Sequence, residues 1–310
     1  MKYLNSTSKL LAVLGSATLL ASAAHAQTVT SAGTGNWGTG STWDSDPSRP
    51  GFDDTTVRVF IENDNTVTVD GTTPAINIDS SGEGGTTSLI VGQDGGGPEQ
   101  LDVSGGSITG NEELKVGNVS DATLNLSGSG SLDFERLGLG NGGQNRSGTF
   151  NMTGGSASFD LNLQMLVASQ LNYSAGSLEF GSAFLPGQGT FSISEIGGTA
   201  NPILFGANIN PTSTVDLDLS IAASAIPGLS VGDQFVLFDY GGTVVSDFNY
   251  GGSPLSDGDV IDVSGTDFTY NTATDLGGGD LAITITAIPE PGVAALGLLA
   301  LGFFAFRRRG

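Results

Sequence analysis

Leu101-Asp102-Val103-Ser104-Gly105-Gly106-Ser107-Ile108 decides the fold, because the chain returns to the same pattern three more times. It recurs as Leu124-Asn125-Leu126-Ser127-Gly128-Ser129-Gly130-Ser131-Leu132, as Phe150-Asn151-Met152-Thr153-Gly154-Gly155-Ser156-Ala157, and as Leu171-Asn172-Tyr173-Ser174-Ala175-Gly176-Ser177-Leu178. First positions lie 23, 26 and 21 residues apart. Between copies a second motif repeats: Leu89-Ile90-Val91-Gly92, Leu114-Lys115-Val116-Gly117 and Leu137-Gly138-Leu139-Gly140. A repeat this short cannot bury its own apolar side and becomes stable only when stacked on its neighbours.

Apolar residues two apart, such as Leu101 with Val103 and Leu124 with Leu126, give strand spacing rather than helix spacing. Asp102, Asn125, Asn151 and Asn172 then point outward, and the Ser-Gly-Gly-Ser segments supply the backbone freedom that sharp corners need. The expected fold is all-β: a parallel β-helix or solenoid with three short strands and three corners per coil. At about 4.8 Å per coil, the four copies and their flanking turns span roughly 20–25 Å. An antiparallel sandwich also uses short strands and Gly turns, but it does not require copies at a matched period.

Working outward, residues 27–54 carry Trp37 and Trp43 in a Gly/Ser/Thr setting, either as an apolar plug over one end of the β structure or as a sugar-stacking platform. The plug is the favoured reading. Thr56 to Ile61 and Thr66 to Asp70 read as paired strands broken by the turn-forming Asn63-Asp64-Asn65. Beyond Gly197 the period fades, yet Val215 to Ile221, Gly232 to Tyr240, Val260 to Val263 and Asp280 to Thr286 keep β patterning. An exposed last coil would offer a free edge to other chains, so a closing unit is expected there. No stretch between Gln27 and Ile288 has the period of an amphipathic helix.

The two ends read as addresses. Lys2 and Lys9, the apolar run Leu10 to Ser22, and Ala24-His25-Ala26 form a signal peptide for cleavage by signal peptidase after Ala26. At the other end, Pro289-Glu290-Pro291 precedes an apolar run from Val293 to Phe306, and Arg307-Arg308-Arg309 follows. The prolines hold the box extended and reachable. The run spans roughly 21 Å as a helix, short of a hydrocarbon core of about 30 Å, and the arginines orient it with Gly310 on the cytoplasmic side. This reads as a short transmembrane helix. An ordinary membrane anchor without processing is the plainer alternative.

Box, apolar span and arginine stop, in this order, resemble the PEP-CTERM sorting signal. The resemblance implies an exosortase-type membrane transpeptidase as partner, cutting near Pro289, Glu290 and Pro291, with Arg307, Arg308 and Arg309 as the membrane stop. It covers about 22 of 310 residues. The opening and closing segments of the part between resemble autotransporter-like β-solenoid passengers. The chain thus divides into a signal peptide (1–26), an N-terminal β cap (27–80), solenoid repeats (81–200), a C-terminal β region (201–288) and the sorting signal (289–310). The destination implied is the cell surface or the extracellular space, with exopolysaccharide as a partner there.

Composition narrows the chemistry. Between Gln27 and Ile288 there are five basic and 31 acidic residues, a net charge of −26. Nucleic acid, which demands a basic footprint, is excluded as a partner. The one histidine, His25, lies in the signal peptide and there is no cysteine, so a Ser-His-Asp triad, a cysteine nucleophile and an ordinary zinc site are unavailable to the mature chain. Carboxylates remain. Asp133, Glu135 and Arg136 could serve a carbohydrate-active β-helix enzyme, with Lys115 and Arg146 as the other nearby cations, but a surface-charge cluster accounts for them equally well. The Gly/Asp turns at Gln93 to Gly97 and Asp275 to Leu281 could bind calcium, although neither is tandem. The expectation is a structural or adhesive protein without catalysis, cofactor or metal.

Overall fold

The structure, a computed structural model, describes residues 27–44, 49–52, 57–80, 87–166, 169–182, 184–186, 188–209, 215–243, 248–274 and 279–287. Both expected addresses, with Ala24, Ala26, Pro289, Glu290, Pro291, Arg307, Arg308 and Arg309, lie outside these residues, as does the stretch expected to form a short transmembrane helix. Among the described residues no helix is long and apolar enough to cross a membrane.

The described chain is all-β, with two short 3-10 turns and no α-helix. Its strands form a seven-stranded and an eighteen-stranded sheet. Each repeat adds one strand to each of three parallel stacks, an arrangement consistent with a β-helix. In one repeat Glu113–Val116 joins the first stack, Ala122–Leu126 the second and Ser131–Phe134 the third. Each pairs in parallel with its counterpart before and after, so that Leu124 faces both Leu101 and Phe150, and Phe150 faces Leu171. The four sequence copies are therefore in register.

The alternation in the sequence becomes an inside and an outside. Glu99–Val103 and Ala122–Leu126 bury every second residue, and the buried sets of all three stacks merge into one continuous core. In the third stack Phe134, Phe159, Phe180, Phe205 and Tyr240 succeed one another inward. Phe180 stacks on Phe159 and Phe205 at centroid distances of 5.2 and 5.1 Å. Gly110 occupies the place before Phe134, and a Cβ there would lie 2.3 Å from the Phe134 ring. The aromatic column thus begins by leaning into a space left by a missing side chain.

The second motif ends three of the first-stack strands, Thr87–Val91, Glu113–Val116 and Arg136–Leu139. Gly117 has φ +79, and a Cβ on it would lie 2.2 Å from the carbonyl oxygen of Ser147 in the next repeat. Two requirements meet at that corner: a left-handed backbone and close passage of the neighbouring coil.

Three expectations needed correction in detail. The segments around Asn63-Asp64-Asn65 are not paired with each other: Val57–Ile61 lies in the first stack and Thr66–Val69 in the second. Asn63 and Asp64, at φ 62 and 59, form a corner between stacks rather than a hairpin turn. The corner expected at Thr153-Gly154-Gly155-Ser156 is drawn into one twelve-residue strand, Gly148–Phe159, with shifts in register where it passes between stacks. Parallel pairing also outlasts the sequence period, reaching Tyr250 through Val215–Ile221 and Asn249–Tyr250.

The ends are closed differently. Trp37 and Trp43 are 0% and 1% exposed, with ring centroids 4.7 Å apart, and their indole nitrogens donate to the carbonyls of Pro50 and Trp37. They plug the first coil and offer no open stacking platform. At the other end Gly279–Ala287 runs antiparallel along Gln234–Tyr240, backed by Thr266–Thr274, and covers what would be a free edge. Among the described residues the first stack ends earlier, at Phe184–Pro186, where Pro186 contributes no N–H to an edge.

Candidate functional site

Two arrangements of polar side chains stand out: a corner that buries a carboxyl group, and the outward ladders beside it. The corner joins Thr87–Val91 to Glu99–Val103. Asp94 accepts hydrogen bonds from the backbone N–H groups of Asn63 (3.1 Å) and Gly96 (3.4 Å), tying this coil to the one before it. Asp64 accepts one from Gly97 N–H. Asp94 of this Gly-rich turn and Asp64 of the corner before it are therefore both engaged by backbone donors. Among the described residues no group of three or more Asp, Glu, His or Cys is placed to hold a metal ion. Of the second calcium candidate, residues 275–278 lie outside the described set.

Glu99 opens its strand on the inward side and is 0% exposed. Ser120, from the next coil, donates to its Oε2, while Oε1 has no conventional donor. The partner within reach of the Glu99 carboxyl is Asp94, and two carboxyl groups can bond only if one keeps a proton. Burial first, and then the Asp94 side chain, push Glu99 up to about 7. The hydrogen bond from Glu99 in turn holds Asp94 below its usual range. Glu62, in the coil before, is raised by burial and by Asp94 and Asp44. This is a proton-sharing pair set in a line of acids. With Glu99 sealed from solvent, its proton governs the packing of the corner rather than a dissolved reactant.

The outward ladders run along the second stack. Asn125 Nδ2 donates to Asp102 Oδ1, Asn151 to Asn125 and Asn172 to Asn151, each at 2.7 Å. A second ladder follows the corner, from Asn141 Nδ2 to Asn118 Oδ1 at 2.9 Å and from Asn118 Nδ2 to Gln93 Oε1 at 2.6 Å. The first uses the residues expected to face outward. The second had a legible signal that sequence reasoning missed: Gln93, Asn118 and Asn141 each directly follow the glycine of the Leu-x-Val-Gly motif.

Asp133, Glu135 and Arg136, adjacent in sequence, are separated by the fold. Asp133 points outward from the third stack, whereas Arg136 opens a first-stack strand and pairs with Glu135 at 3.0 Å. Glu112 joins them there, raised by burial and by Glu135. Lys115 is in register with Gly138, and Arg146 bridges Asn141 in the loop beyond. A separate cleft of about 360 Å³ lies between residues 197–202 and Gln234–Leu237, and its walls carry no ionisable side chain.

Together these features define an all-β protein of stacked parallel strands with laddered polar faces and one carboxyl pair in which Glu99 is buried and Asp94 half-buried. Compared with protein-family models, curated proteins and solved structures, the chain matches none.

Proposed function

We propose that this chain is an exported parallel β-helix passenger, delivered by the signal peptide of residues 1–26 and processed through the C-terminal signal of residues 289–310 by an exosortase-type membrane transpeptidase. After processing it acts at the cell surface or in the extracellular polysaccharide as a structural or adhesive element, without catalysis. The observation that carries this reading is the three-part ending: Pro289-Glu290-Pro291, the apolar run to Phe306, and Arg307-Arg308-Arg309. Support comes from the part between. It has no cysteine, so its stability outside the cell needs no disulfide, and its charge of −26 favours solubility there.

Intact-mass measurement on protein recovered from the producing cell's surface tests the reading. Loss of residues 1–26 and of the arginine terminus, with the new end near Pro289 to Pro291, is expected. Mature protein that still ends in Arg307-Arg308-Arg309-Gly310, or normal export of a variant lacking Pro289 to Pro291, would overturn it.

A further inference from the structure

The three outer faces of the stacks differ in what they leave free. The second face spends Asp102 and its asparagines on their own ladder, and Asp218 on Ser192. The first carries Arg58, with its guanidinium 5.4 Å from the Phe60 ring, along with Lys115, and Ile90 there is only 4% exposed. The third face carries no cation and keeps a regular row of exposed carboxylates uncommitted.

On that face one outward row runs through Asp133, Ser158, Glu179, Leu204 and Asp239 in direct register. Acids thus occupy alternate coils, roughly 10 Å apart along the axis at about 4.8 Å per coil. Asp133, Glu179 and Asp239 are exposed and have no hydrogen-bonding or ion-pair partner among the described residues. Leu204 between them is 36% exposed. Beside this row runs another of small hydroxyls, Ser131, Ser156 and Ser177, also in register and with side chains uncommitted. No Lys or Arg occurs on any third-stack strand.

We propose that the third face binds a linear polysaccharide bearing amino groups, laid along the stack axis. Charge complementarity selects the occupant: carboxylates at every second coil meet ammonium groups, and the part between Gln27 and Ile288, of net charge −26, repels a polyanion. Alternation also fits, because in an extended β-linked glycan successive sugars face opposite ways and the same substituent returns to one side every second sugar. The hydroxyl row then meets the sugar hydroxyls, and Leu204 gives an apolar contact for a ring face. This deepens the surface-matrix role proposed above by naming the class of polysaccharide.

The test uses the full chain in mild detergent and measures its affinity for fully deacetylated chitosan oligosaccharides by calorimetry, at a pH where the amines are protonated and aspartate is ionised. The N-acetylated oligosaccharides and alginate are compared alongside. Binding to chitosan that weakens with salt is expected, with at least tenfold loss in the triple variant Asp133→Asn, Glu179→Gln, Asp239→Asn. A second triple variant, Asp102→Asn, Asp216→Asn, Asp218→Asn, removes equal charge from the second face and should stay within about twofold of the parent. Equal loss in both variants, tighter binding to alginate than to chitosan, or self-association abolished by the third-face changes would each overturn the proposal. None of these outcomes depends on how the chain is sorted, so failure here is distinct from failure of the sorting reading.

Discussion

Asn151 donates through Nδ2 to Oδ1 of Asn125, 26 residues earlier in the chain, at 2.7 Å. The contact exists only because the two strands pair in parallel and in register, and Asn172 repeats it upon Asn151. Asn125 and Asn151 each spend one donor and one acceptor on their neighbours, and the row ends on the Asp102 carboxylate.

Replacing Asn151 by Ala removes the middle rung and two hydrogen bonds. The row is half-buried, so about 1 kcal/mol per bond is the appropriate scale, for a loss of about 1–2 kcal/mol. Urea unfolding checks this. An unchanged midpoint would mean that the ladder is ornamental.

Glu99 makes stability depend on pH in a direction opposite to most carboxylates. Its folded value is about 7 against an ordinary 4.5, so between those values the folded chain holds a proton that the unfolded chain has lost. Stability therefore falls as pH rises from about 4.5 to about 7, by no more than about 3 kcal/mol. Asp94 acts in the opposite sense, stabilising above its ordinary 3.8 and losing that contribution as pH falls through its lowered folded value. Glu99→Gln imitates the protonated acid, accepting from Ser120 and donating to Asp94. Thermal melts should show the variant nearly equal to the parent near pH 4.5 and clearly more stable above 7. A constant difference at all pH values would contradict the shared proton.

The aromatic column gives two packing tests. Phe180→Ala opens a cavity between Phe159 and Phe205 and should cost about 3–5 kcal/mol. Gly110→Ala places a Cβ where the Phe134 ring lies, an overpacking expected to cost about 1–3 kcal/mol. Chemical denaturation of the two variants measures both. If Gly110→Ala stabilised the chain, the placement of Phe134 would be wrong.

The closing strand protects an edge. Ala282 pairs with Val236 on one side and with Asn271 on the other, so Ala282→Pro removes a donor from a strand that is central here. The variant should expose Gln234–Tyr240 and form higher oligomers in light scattering, while keeping its far-ultraviolet β signal. A monomer with unchanged melting would show that the edge needs no cover.

Much of this was legible because the repeat fixes register directly. Once Leu101, Leu124, Phe150 and Leu171 are aligned, the outward Asp102 and the asparagines after it must align too. The corner glycines were equally visible, since Gly92, Gly117 and Gly140 close the second motif. The carboxyl pair was not. Glu99 sits at an inward strand position that pattern reading assigns to an apolar residue, and Asp94 reads as an ordinary turn residue; only the third dimension brings them together under Ser120. Nor could sequence show that Val57–Ile61 and Thr66–Val69 part company, because a corner and a hairpin turn use the same Asn and Asp residues. Past Gly197 the pairing persists without a repeat, since stacking requires matched strand edges and an apolar interior but not matched letters.

The central claim, that successive repeats stack in parallel along one axis, is open to direct distance measurement because the chain has no cysteine of its own. Spin labels on cysteines replacing exposed Asn77, Glu179 and Asp239, which share one outward row, can be measured in pairs by electron paramagnetic resonance. The 77–179 pair spans four coil steps and the 77–239 pair six, so the second distance should exceed the first by roughly 10 Å at about 4.8 Å per step. Equal distances, or a shorter one for the more distant pair, would mean that the chain folds back on itself and that the stacked coil is wrong.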